Sequence, residues 1–181
     1  MLPIFMHELT AMHESICAFQ YVTDHTECYL KIALKLGQGV HGRFILDRLQ
    51  FENSSCARQA ARVSELVEAG PDVCEVRVLK PQGGGFACMH AKTVIIDNRV
   101  VLTGSVNMTH NGIENNKEHM FRILEPTVVK ALRVDFEETW RIAQPVTPEM
   151  CIGAVRRAEQ ARIRRQERSA STSRSLSREH N

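Results

Sequence analysis

The chain has 181 residues, 43% hydrophobic and 24% charged, the proportions of an ordinary soluble globular protein and a length that suits one domain around one core. Its net charge is only +2 and is unevenly spread: residues 151–181 hold eight Arg and three Glu, whereas the first 150 hold 15 Lys and Arg against 18 Asp and Glu. Attraction to phosphate therefore has to come from the tail or from a local pocket, not from the body as a whole, and no run reaches the ~18 apolar residues that a membrane span needs.

Residues 1–13 are expected as an N-terminal segment. His7, Glu8 and His13 interrupt its apolar residues and it lacks a basic leader, so it makes a poor signal peptide. Residues 14–24, ESICAFQYVTD, are short, apolar and aromatic, and predict a buried strand. Asp24 offers an N-cap, with Glu27 at capping-box spacing, to a helix that Gly37 and Gly39 stop. A second strand is predicted at 40–47. A helix follows at 54–70, capped by Ser54 or Ser55 and ended by Gly70. The alternating, β-branched residues 73–80 form a third strand. PQGGG (81–85) is a loop, read equally as a plain connector or as a mobile lip beside a site. Residues 88–107 predict a hairpin turned at Asp97-Asn98, and 119–125 another strand. Pro126 opens a helix that runs to 143. This alternation predicts an α/β fold with a mixed sheet flanked by helices, over residues 14–145. Residues 146–181 are a basic Arg/Ser-rich tail, expected to be helical over 154–168 and disordered over 169–181.

The six cysteines, Cys17, Cys28, Cys56, Cys74, Cys88 and Cys151, form no C-x-x-C pair, and several lie in apolar runs. They are expected as buried free thiols of a reducing compartment. A zinc site on Cys88 and His90 would lack a second ligand pair.

The hairpin carries an unusual polar set. Alternate residues of a strand share a face, so His90 and Lys92 point one way, and Ser105 and Asn107 share a face on the next strand. Gly104 allows close backbone approach there. An imidazole, an ammonium, a hydroxyl and a carboxamide at one patch suit a phosphodiester. The imidazole attacks phosphorus or shuttles a proton, while Lys92 and Asn107 donate to non-bridging oxygens. No carboxylate cluster suited to Mg²⁺ or Ca²⁺ accompanies them, so neither metal nor cofactor is expected.

His90-x-Lys92-x4-Asp97-x6-Gly104-Ser105-x-Asn107 resembles the signature of the phospholipase D superfamily. Six fixed residue types make a chance match ~10⁻⁸ per start point. The resemblance extends over about residues 14–143: QYVTD looks like the family's opening strand, LGQGVHGRFILD like its helix-to-strand passage with Gln38 where Arg is more usual, NNKEHMF like the segment with the family's acidic position at Glu118, and FEETW like the closing helix of its small nuclease and mitochondrial members. It implies that His90 is the nucleophile of a phosphohistidine intermediate, and that His90 of a second copy protonates the leaving oxygen, in a homodimer with one shared site. Lys92 and Asn107 would hold the phosphate oxygens, Glu118 would accept from the far ring nitrogen of His90, and Ser105 would support the phosphate or the imidazole. Asp97, seven residues from His90, is expected to be structural or a salt-bridge partner in preference to direct chemistry. His25, His41, His110 and His119 are expected to be surface or structural.

The implied activity is phospholipase D-type hydrolysis of cardiolipin or another phosphatidyl lipid to phosphatidic acid, with a nucleic-acid endonuclease as the alternative and a non-catalytic dimeric lipid or nucleic-acid binder behind it. The basic tail is expected to contact anionic lipid or nucleic acid. The expected location is intracellular, in the cytoplasm or at the mitochondrial surface.

Overall fold

The computed structural model describes residues 1–52, 57–82 and 87–179. The elements are, in order, α1 (Leu2–Ala11), β1 (Ser15–Gln20), α2 (Thr26–Leu36), β2 (His41–Asp47), α3 (Arg48–Glu52), α4 (Ala57–Glu68), β3 (Cys74–Leu79), β4 (Lys92–Ile96), β5 (Val100–Gly104), a π-helical turn (Asn111–Asn115), β6 (Met120–Ile123), α5 (Pro126–Ile142), β7 (Gln144–Pro145) and α6 (Pro148–Glu179). The strands form one mixed sheet in the order β6-β5-β4-β1-β2-β3-β7. β1, β2 and β3 are parallel, and β4 runs antiparallel to β1.

The strand sequences show why the sheet is a middle layer. β1 and β4 are buried along nearly their whole length, so they read as apolar runs without alternation. Ile16 and Ala18 of β1 join Phe5 and Leu9 of α1, Ile32 of α2, Val63 of α4 and Ala154 of α6 in one core. Cys17 and Phe19 point to the other face, where Val129, Phe136 and Trp140 of α5 cover them. β3 alternates instead: Cys74, Val76 and Val78 are buried while Glu75 and Arg77 are half-buried. The Arg77 guanidinium lies over the Trp140 ring at 4.4 Å and donates to Trp140 O at 2.7 Å, which lets a charged side chain sit on an otherwise apolar layer.

Several expectations shift. Residues 2–11 are a helix that belongs to the main core, not a separate segment, because Phe5 and Leu9 lie one helical turn apart on a single face. The N-cap of α2 is His25, not Asp24: its Nδ1 accepts from Cys28 N, while Asp24 is held by Arg58 at 3.1 Å. The proposed Ser54 or Ser55 cap and most of PQGGG lie outside the described residues. α6 continues through the Ser/Arg-rich stretch to Glu179, where disorder was expected, because no Pro or Gly follows Gly153 to interrupt it. Cys17, Cys28, Cys74 and Cys151 are buried free thiols and Cys88 is half-buried. Burial pushes the Cys28 and Cys74 thiols up to about 12, so they are inert. Cys56 lies outside the described residues.

Candidate active site

The carboxyl ends of β1 and β2, the first residue of β4 and the residues after β5 converge at one edge of the sheet. Antiparallel pairing sets Lys92 opposite Gln20, the last residue of β1. The crevice beyond the carboxyl ends of parallel strands is where open α/β sheets bind ligands.

His90 lies in the segment before β4, not on the strand itself. The sequence expectation of one shared strand face is therefore corrected, although the two side chains still meet. Lys92 Nζ is 3.1 Å from His90 Nδ1 and donates to His90 O at 2.6 Å. His90 is exposed and Lys92 is buried. Burial lowers the ammonium's pKa below the ordinary lysine value, opposed by the charges of Cys88 and Glu118. With Lys92 charged, Nδ1 of His90 is an acceptor and Nε2 carries the proton.

Ser105 Oγ donates to Glu118 and accepts from His119 N at 3.1 Å. Asn116 Nδ2 also donates to Glu118, at 3.2 Å. The Ser105 hydrogen bond, then that of Asn116, hold the Glu118 carboxyl below the usual carboxylate range. The expected Glu118–His90 contact is thus replaced by Glu118–Ser105, and Lys92 takes the position at Nδ1. Ser105 serves the carboxylate that the π-helical turn and β6 deliver. Asn107 Oδ1 is buried and meets no hydrogen-bond partner among the described residues, an open acceptor; donation to a phosphate oxygen would fall to Nδ2 of the same carboxamide.

One signature residue lies away from the site and another has a structural duty within it. Asp97 sits at the far end of β4, five residues from Lys92 and so about 16 Å away. Its Oδ1 accepts from Glu14 N at 2.8 Å and Ser15 N at 2.9 Å, and its Oδ2 from His13 N at 2.9 Å. With Asn98 it forms the hairpin turn, at φ 52 and φ 51, the left-handed pair that two-residue hairpin turns require. Gly104 ends β5 one step past the Thr93–Thr103 pair, which sets it beside Lys92. A Cβ there would lie 2.2 Å from His119 O, so glycine is needed for β5 to pass the chain entering β6.

Three supporting residues escaped the sequence reading. The Tyr21 ring packs on the His90 imidazole, centroids 4.5 Å apart, and lies 5.1 Å from Lys92 Nζ. Gln50 of α3 donates to Tyr21 OH at 2.8 Å. Buried Asp47, the last residue of β2, accepts from Met89 N at 2.8 Å and Gln50 N at 2.9 Å, fixing the backbone beside His90. Polar Asp47 ending a strand was the one signal available.

His25 and His110 are structural. They share Glu114, at 2.8 Å and 3.1 Å, and the three could be read as metal ligands. Nδ1 of His25 accepts from Cys28 N, however, so its Nε2 carries the proton donated to Glu114 and has no lone pair for a cation. His41 and His119 are exposed.

The arrangement of an exposed imidazole, a buried ammonium and an acidic support around a sheet edge is accompanied by a family match. Residues 5–140 match the family described as cardiolipin synthase, PLD-like domain. The chain belongs to the phospholipase D superfamily. Among curated relatives of this PLD-like chain, mitochondrial cardiolipin hydrolase of Xenopus laevis is 32% identical over 108 residues, 60% of this chain and 48% of that protein. The Homo sapiens protein of the same name is 30% identical over 114 residues, 61% of this chain and 42% of its own length. The PLD-like chain therefore spans less than half of each of these relatives. Solved structures similar to it include NucT from Helicobacter pylori (TM-score 0.71, 19% identity, covering 80% of this chain and 90% of that one). Nuc from Salmonella typhimurium, a phospholipase D family member, gives a TM-score of 0.69 at 18% identity and the same coverage. These two establish the fold. Among the described residues, no helix is long and apolar enough to cross a membrane.

Proposed function

We propose that this chain hydrolyses a phosphodiester through His90. The observation that carries the reading is the Lys92–His90 contact of 3.1 Å on the open edge of the sheet. Phosphate oxygens would draw Lys92 Nζ away from Nδ1 and toward themselves. With Lys92 withdrawn, Nδ1 would take up a proton as Nε2 releases its own to solvent, leaving the lone pair on Nε2 for attack. The P–Nε2 bond forms as the P–O bond to the leaving group breaks, and the partner's His90 gives that oxygen its proton. Water then loses a proton to the partner's His90, attacks phosphorus and releases Nε2 of His90. Lys92 and Asn107 stabilise the charge on the non-bridging oxygens.

One chain supplies a single His90, so the two imidazoles imply an isologous dimer with its axis near the phosphate. The names of the curated relatives support a lipid phosphodiester of the cardiolipin type, yielding phosphatidic acid. Purified protein, with His90→Asn as the blank, is assayed in parallel on cardiolipin vesicles and on single-stranded nucleic acid. Phosphatidic acid release that is absent from the variant supports the lipid reading. Turnover of neither substrate sinks the hydrolase.

A further inference from the structure

α6 outruns the body it packs on. Its last buried residue is Ala158, and every residue from Arg162 to Ser169 is exposed. Arg157, Ala161, Arg164 and Arg168 fall at i, i+4, i+7 and i+11, on one face. With Gln160, Arg165 and Glu52 of α3, they line a groove of about 400 Å³. The carboxylate of Glu52 is taken by Arg48 at 2.9 Å, so the groove presents arginine charge with its lining acid already paired. Residues 146–181 hold eight Arg and no Lys; guanidinium suits bidentate phosphate contacts and stacking on bases.

The groove and the candidate active site share α3. Arg157 Nε donates to Glu52 O at 3.3 Å. Two residues earlier, Gln50 holds Tyr21 OH, and the Tyr21 ring lies on His90. The two contacts leave α3 from different sides, so the groove adjoins the helix that supports Tyr21.

We propose that the α3–α6 groove binds the phosphate backbone of a single nucleic-acid strand. A lipid surface fits it less well on two counts. A bilayer is a plane, and arginines on the wall of a groove are withdrawn from a plane. The apolar face of α6, Ile152, Val155 and Ile163, is interrupted by Glu159 and continues into Gln166, so it lacks the unbroken stripe that an interfacial helix buries. Binding at the groove is independent of the hydrolytic reading; delivery of a strand to His90 rests on it.

The test uses the full chain carrying His90→Asn, so that cleavage does not interfere, and fluorescence anisotropy with a labelled 20-nucleotide single strand. Arg164→Gln with Arg165→Gln removes two groove arginines. Arg156→Gln with Arg162→Gln removes the same charge from elsewhere on α6. All four are exposed, and thermal melting checks that folding is unchanged. The groove pair is expected to weaken binding about tenfold and to reduce the salt slope by about 1.4, from ~0.7 per lost phosphate contact, while the control pair stays within about twofold. Equal losses in both pairs, or no binding of the strand by the parent chain, overturn the proposal. So does flotation with cardiolipin vesicles in the absence of strand binding. Loss of strand cleavage by the groove pair in the His90 background, with lipid turnover intact, would tie the groove to delivery.

Discussion

The signature aspartate offers the sharpest separation of structural from chemical roles. Asp97→Asn keeps the side-chain size and the tolerance for positive φ that this turn needs. It also keeps one oxygen for Glu14 N and Ser15 N, now as neutral bonds, but turns an amide NH₂ or loses an acceptor at His13 N. The carboxylate is 9% exposed, so water does not replace it freely. Hydrogen bonds to a charged group contribute roughly 1.5–3 kcal/mol each against about 1 kcal/mol for neutral ones. One bond lost and two weakened amount to about 3 kcal/mol. Urea unfolding followed by fluorescence of Trp140 should show the midpoint falling with an unchanged slope. Hydrolysis of a chromogenic phosphodiester, normalised to the folded fraction, should stay within about threefold of the parent, since Asp97 lies about 16 Å from Lys92. An unaltered midpoint with turnover reduced a hundredfold would refute the argument and place Asp97 in the chemistry.

Replacing His90 with Asn removes the attacking group and, in a shared site, the acid as well; turnover should drop by several orders of magnitude with the unfolding midpoint unchanged, and wild-type turnover would exclude the mechanism. Titrating that inactive chain into active chain, with time for exchange, should give activity following the square of the active fraction, whereas a linear decline would mean independent protomers. The lowered Lys92 pKa places the alkaline limb of kcat/KM below the usual lysine range, because activity needs the ammonium and is lost as pH rises through its folded value. Lys92→Arg should push that limb upward, and a limb that stays put assigns it to another group. Activity should survive EDTA, and loss reversed by a divalent ion would point to a metal.

Much of this molecule was legible in its sequence because the information was local. Strand and helix periods are set by burial on one or two faces, so residues 14–143 announce an α/β layer structure, and the Asp97-Asn98 turn needs only its own two residues to adopt left-handed backbone. The polar set His90, Lys92, Ser105 and Asn107 stands out because apolar strands have no other use for it. What sequence periodicity could not decide was the third dimension between elements. The family resemblance implies a bond from Glu118 to the imidazole, yet the crossing of β5 and β6 at Gly104 brings it to Ser105. Gly104 itself serves that crossing. Tyr21, Asp47 and Gln50 come from two other segments, and only the parallel pairing of β1 and β2, with α3 turning back from the end of β2, carries them to His90. Likewise, the arginines of the tail were visible as charge, but the wall they form with Glu52 exists only because α6 packs on α4 and then runs past α3. Local energetics select the elements; which side chains share a site depends on register and packing between segments far apart in the chain.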